Sequence, residues 1–148
     1  MTQSIEILKF ETDHGLGARA RLGLIVLQTD QTIEHDFARI FSHEKDVSLH
    51  VARIPNAMEV SPKTLRQMAI DLPLTAELLP SQFGFDVVGY GCTSGATLIG
   101  EEEVGKLIRD IHPKVAITNP ITATKSALSA LGVTKIALLT PYPVAVTM

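Results

Sequence analysis

Apolar positions along the chain alternate between strand-like runs and helix-like spacing. Leu22-Gly-Leu-Ile-Val-Leu27 is a continuous apolar run, the pattern of a strand covered on both faces. The polar turn Gln28-Thr-Asp-Gln-Thr32 follows, and Ile33, Phe37, Ile40 and Phe41 then recur at helical spacing. That spacing predicts an amphipathic helix over residues 32–42, with Asp30 or Thr32 as its N-cap. Val47, Leu49 and Val51 alternate with polar residues up to Ile54, as in a strand near a sheet edge. Ser61-Pro62 is a cap followed by proline at the first helical position. The helix it starts buries Leu65, Met68, Ala69 and Leu72, and Pro73 is expected to kink or restart it.

Residues 86–91 read as the third strand. The third helix carries Val104, Leu107, Ile108 and Ile111 behind three glutamates, Glu101 to Glu103, which suit the positive end of the helix dipole. Residues 115–118 read as the fourth strand, Asn119-Pro120 opens the fourth helix, and Gly132 closes it. Lys135 to Thr140 reads as a fifth strand, followed by the turn Pro141-Tyr142-Pro143. Ahead of all this, residues 1–20 form an irregular lead-in, in which Ile5, Ile7 and Phe10 suit a short edge strand before Gly15 and Gly17 break it. Strands alternating with helices imply an α/β fold. The expected form is an open parallel sheet, flavodoxin-like and three-layered, with strand order 2-1-3-4 and an additional strand at 135–140.

Lys135-Ile-Ala-Leu-Leu-Thr can be laid over Arg21-Leu-Gly-Leu-Ile-Val: a basic residue, then an apolar strand, then a polar turn. This internal similarity suggests that a second α/β unit begins near residue 135. The expected division is therefore a lead-in at 1–20, a first lobe at 21–133, and the first strand and turn of a truncated second lobe at 134–148. A finished five-strand domain with a short tail is the alternative. A strand at 135–140 without its own lobe exposes an apolar edge, so it should add to this sheet or pair with another chain. A homo-oligomer is the expectation.

Composition narrows the function. At 148 residues, with 45% apolar and 20% charged positions, the chain suits a single globular domain. A net charge of -3 without a basic run argues against nucleic acid. No stretch has the length and apolarity of a membrane span, and the N-terminus lacks the features of a signal peptide. A lone cysteine fits a reducing compartment, so a cytoplasmic location is the expectation. The histidines, His14, His35, His43, His50 and His112, show no metal-ligand spacing. Gly89-Tyr-Gly91 lacks the third glycine of the dinucleotide fingerprint, because Ser94 stands there. No nucleotide, metal or organic cofactor is expected.

The chemistry gathers in one stretch. Val87-Val-Gly-Tyr90 runs into Gly91-Cys-Thr-Ser-Gly95, which holds the only thiol and two hydroxyls on a glycine-loosened turn. Parallel sheets place ligands at the carboxyl ends of their strands. The turns after strands one, three, four and five carry Thr29-Asp30, Cys92-Thr93-Ser94, Thr118-Asn119 and Thr140 to Tyr142. The opposite rim reads as ordinary solvated loop. A lone cysteine is most often inert packing, but a strand end ahead of a helix start favours a thiolate. Thr93 and Ser94 suit helix capping and, with the same geometry, a carboxylate or oxyanion. Asp30 is most simply a cap, and could also orient a substrate. Tyr142 suits either a core edge or a phenol donor, and Asn119 suits a cap.

Gly23-Leu-Ile-Val26, the turn at 28–32, Tyr90-Gly-Cys-Thr-Ser-Gly95 and the run from Ala130 through Leu139-Thr-Pro-Tyr142 resemble the Asp/Glu racemase superfamily, and within it the maleate isomerase and arylmalonate decarboxylase branch. The resemblance runs from about residue 20 to the C-terminus. It implies a cofactor-independent enzyme of two similar α/β lobes, with the site between them and one cysteine from each in the isomerases and racemases. On this resemblance Cys92 is the nucleophile that adds to a substrate double bond, Thr93 and Ser94 hold a substrate carboxylate, and Tyr142 hydrogen-bonds it. The decarboxylases carry glycine where this chain has Cys92, which favours isomerase or racemase. Asp30 stands where the maleate isomerases have a substrate-binding asparagine, and an unpaired carboxylate there would repel a dicarboxylate. The expected function is isomerisation or racemisation of a small carboxylic acid by a cysteine thiolate, with these 148 residues inactive alone. A malonate-type decarboxylase and a non-catalytic carboxylate-binding lobe are the alternatives.

Overall fold

The computed structural model describes residues 6–147. Strands β1 (Ala20–Leu27), β2 (Val47–Ile54), β3 (Val87–Tyr90) and β4 (Ala116–Thr118) form one parallel sheet in the order β2-β1-β3-β4. Leu24 of β1 lies between Val51 of β2 and Gly89 of β3, which fixes the register across the centre. The helices are α1 (Ile33–Ile40), α2 (Pro62–Ala76), α3 (Thr93–Ile99), α4 (Glu101–Arg109), α5 (Pro120–Ala130) and the short α6 (Val144–Thr147).

Side chains alternate across a strand, and the sheet's two faces are covered unequally. Ile25, Ala52, Ile54, Val88 and Tyr90 point into the main core, where α2 and α4 bring Leu65, Met68, Leu72, Val104 and Ile108. The other face carries Leu24 and Gly89 beneath α1 and α5. There Ile33, Phe37, Pro120 and Ala123 line an apolar cleft of about 200 Å³. Neither α1 nor α5 buries a residue fully.

Local sequence explains most boundaries. Ser61 and Thr64 form a reciprocal capping box at the start of α2. Asn119 Oδ1 accepts from the backbone N–H of Ile121 and Thr122, both at 3.0 Å, at the start of α5. At its end Gly132 takes a φ of 65°, and Val133 N–H donates to Leu128 O at 3.0 Å, a Schellman closure. Gly100, with φ 94°, separates α3 from α4, so the third helical region is two helices.

Three expectations are corrected. Pro73 does not break α2, which runs through it to Ala76. It forgoes the one bond its own N–H would have made to the Ala69 carbonyl, while its carbonyl still accepts from Glu77 N–H at 3.0 Å, and Thr75 Oγ1 donates to Asp71 O at 2.9 Å beside it. No strand forms at 135–140: the segment has no regular secondary structure, and Leu138 and Leu139 are exposed. Its alternation is apolar enough for a strand, but a strand needs an edge to pair with, and the four-strand sheet does not include it. In the lead-in, Ile7 and Phe10 are exposed and lie in no strand, while Ile5 falls outside the described residues.

Candidate active site

The carboxyl ends of the parallel strands share one rim, and β3 delivers Cys92 to it. Gly91 N–H donates to Ile25 O at 2.8 Å, extending the ladder one residue past β3. A side chain at Gly91 would meet Ile33 Cδ1 at 3.0 Å and Ile25 O at 3.3 Å. Cys92 then caps α3: its Sγ accepts from Gly95 N–H at 3.3 Å and lies 3.7 Å from Ser94 Oγ. The thiol is 4% exposed.

Cys92 and Ser94 line a small cleft of about 40 Å³. Its walls come from Leu27 at the end of β1, from Asn56, Ala57, Glu59 and Val60 after β2, and from Thr64, Leu65 and Met68 on α2. Asn56, Ala57, Thr64 and Met68 also line a larger neighbouring cleft of about 300 Å³, with Lys63, Gln67 and Asp71 on its far side.

Beneath the thiol lies Tyr90, 1% exposed. Burial, and then the charge and hydrogen bonding of Cys92, push its hydroxyl far above the ordinary phenol range. The protonated hydroxyl donates to Met68 Sδ at 3.9 Å. Gly95 leaves room for both the hydroxyl and the thiol, because a Cβ there would lie 2.5 Å from Tyr90 Oη and 3.0 Å from Cys92 Sγ.

Of the residues singled out by the sequence, Cys92 and Ser94 come together in the cleft. Thr93 is exposed on the first turn of α3 and does not line it. Asp30 sits on the same rim, but its Oδ1 accepts from Thr32 N–H at 2.9 Å and Ile33 N–H at 2.8 Å. That is the capping role expected of it, and Asp30 is not among the residues lining the cleft. Tyr142 packs at the edge of the main core and is not among the cleft's walls.

The loop after β2 was missed by the sequence reading. Asn56 anchors it, accepting from Thr29 N–H at 3.2 Å and donating to Thr29 Oγ1 at 3.1 Å. The signal was available: β2 is parallel to its neighbours, so its following loop must share their rim. The sequence places Tyr90 in strand core, and the structure packs its hydroxyl and Cys92 Sγ around the bare Cα of Gly95.

No protein-family model matches the sequence, and no curated protein matches it in sequence. Solved structures match its fold. The maleate isomerase Iso of Pseudomonas putida S16 superposes with a TM-score of 0.60 at 23% identity, covering 76% of this chain and 50% of that one. A Cys-to-Ser mutant of Nocardia farcinica maleate cis-trans isomerase, holding a covalently bound succinylcysteine intermediate, gives 0.63 at 20% identity over 76% and 49%. A double mutant of arylmalonate decarboxylase in liganded form gives 0.64 at 24% identity over 86% and 53%. This chain spans about half the length of each of these proteins. Its fold is the one found in these maleate isomerases and in arylmalonate decarboxylase.

Proposed function

We propose that the chain carries the nucleophile-bearing half of a cofactor-independent isomerase or racemase acting on a small carboxylic acid. The observation that supports this most is the cleft shared by Cys92 and Ser94 at the end of β3, on a fold shared with a protein that holds a succinylcysteine intermediate. In the isomerase form, the Cys92 thiolate adds to one alkene carbon of an unsaturated dicarboxylate. A carbon–sulphur bond forms and the π electrons move to the adjacent carbon, beside its carboxylate. Rotation about the new single bond follows. The electron pair then returns, the carbon–sulphur bond breaks, and the trans alkene leaves. Ser94 Oγ, 3.7 Å from Sγ, is placed to donate to a carboxylate of the adduct, with Thr93 beside it on the turn and Asp30 and Tyr142 flanking on the rim.

A cleft of about 40 Å³ holds little more than a water, so a dicarboxylate enters only if the exposed 57–60 segment gives way. In this reading the remaining groups, including a second proton donor, come from a further lobe. This chain alone forms the adduct without turning over. The test is intact-mass analysis after incubation with maleate and an acid quench. The expected result is one adduct of maleic acid mass, mapped to Cys92 and absent from Cys92→Ser. No adduct, together with carbon dioxide release from an arylmalonate, would replace this reading with the decarboxylase one. That alternative has support from the decarboxylase match, which covers 86% of the chain.

A further inference from the structure

The turn at 28–32 forms part of the rim beside the cleft; within it Asp30 Oδ1 accepts from Thr32 and Ile33 N–H, and Asp30 N–H donates to Leu27 O at 3.0 Å. From outside the turn, Arg53 near the end of β2 adds a tether across three of its carbonyls. One guanidinium nitrogen, Nη1, donates to the carbonyls of Leu27 at 3.2 Å, Gln28 at 3.2 Å and Asp30 at 2.9 Å. The other, Nη2, pairs with Glu34 on α1. Three carbonyls converging on one nitrogen set the path of the turn, and the ion pair fixes the guanidinium plane that reaches them. Asn56 adds a second tether from the same strand end to Thr29. Leu27 and Asn56 are walls of the Cys92 cleft, whereas Arg53 is not.

We infer that Arg53 is a positioning residue for the Cys92 site: its capture of the Leu27, Gln28 and Asp30 carbonyls holds the β1 side of the cleft closed over the thiol. The inference rests on the reading of Cys92 as the reactive centre. The geometry explains why arginine is needed. A guanidinium presents a rigid fork of donors, which can span the turn and Glu34 together, whereas an ammonium is a compact point charge on a flexible stem. Charge alone does not suffice.

The test is the second-order rate of Cys92 alkylation by iodoacetamide in the native chain, at fixed pH, with the melting temperature measured alongside. Arg53→Ala and Arg53→Lys should both raise the rate by roughly tenfold, because the cleft wall opens locally more often without this set of hydrogen bonds. Lysine does not rescue. Glu34→Gln keeps an oxygen acceptor for Nη2, and so the guanidinium plane and the carbonyl capture, and should stay near the wild-type rate. Arg19→Lys, at an ion pair with Glu44 remote from the site, should change nothing. If Arg53→Ala fails to fold, Arg53→Lys decides. Rates equal to wild type in both Arg53 variants, or full restoration by lysine, would overturn the inference. So would a rate rise in either variant that merely tracks a fall in melting temperature. The measurement needs no substrate. A chain that binds no carboxylate would sink the proposed function and leave this answer standing.

Discussion

Gly95 is the residue on which the site's geometry turns most sharply. It lies within α3, and glycine to alanine within a helix ordinarily stabilises by about 1 kcal/mol. Here the added methyl would lie 2.5 Å from Tyr90 Oη and 3.0 Å from Cys92 Sγ. The Tyr90 ring is buried and cannot swing away. Overpacking of this kind costs about 1–3 kcal/mol, so the steric effect wins. Gly95→Ala should lower the denaturation midpoint by a net destabilisation of up to about 2 kcal/mol and displace the thiol. Urea titration checks the first, and the Cys92 adduct yield checks the second. A stabilised variant with full adduct yield would show that Tyr90 is free to move. At this scale the thiol, its turn and the capping roles of Asp30 and Asn119 were legible in the sequence. The packing of the Tyr90 hydroxyl and Cys92 Sγ around Gly95 was not, because adjacency across a strand end depends on packing rather than on spacing.

Between elements, α4 and α5 are tied by one carboxylate. Glu101 accepts from Lys125 and from Thr122 Oγ1, the latter at 2.7 Å. The hydrogen bond from Lys125, then that from Thr122, holds its carboxyl below the ordinary glutamate range. A carboxyl depressed in the folded state stabilises above its unfolded pKa, and that contribution is lost as pH falls through the folded value. Melting temperature followed from pH 7 to pH 3 should therefore drop more for wild type than for Glu101→Gln, with the two curves converging at the acid end. Parallel curves would mean that the solvated tie contributes nothing, as exposed ion pairs often do. The helices themselves were largely readable from periodicity and caps. The split at Gly100 was not, because apolar spacing alone does not mark where a chain turns out of a helix. α2 does not restart at Pro73, because a proline removes only its own N–H bond and the following turn still closes through Glu77 N–H to Pro73 O.

For the whole molecule, a parallel α/β sheet follows from alternating strands and helices under right-handed crossovers and was legible, and the strand order β2-β1-β3-β4 is the one expected. The parallel order also dictates that four strand ends, including that of β2, face one way, and this is what assembles the cleft around Cys92. The segment at 135–140 shows the limit of pattern reading. Its sequence suits a strand, but strand formation depends on a partner, and Leu139 remains 97% exposed. The central claim is that the cleft takes a small carboxylate against Cys92. The most direct measurement is the rate of Cys92 alkylation by iodoacetamide in the native chain as malonate, an unreactive dicarboxylate, is added. The account predicts a rate that falls hyperbolically to a plateau, with no such protection once the chain is unfolded in urea. A native rate indifferent to malonate, or equally affected in the unfolded chain, would contradict it and leave Cys92 a packed structural cysteine.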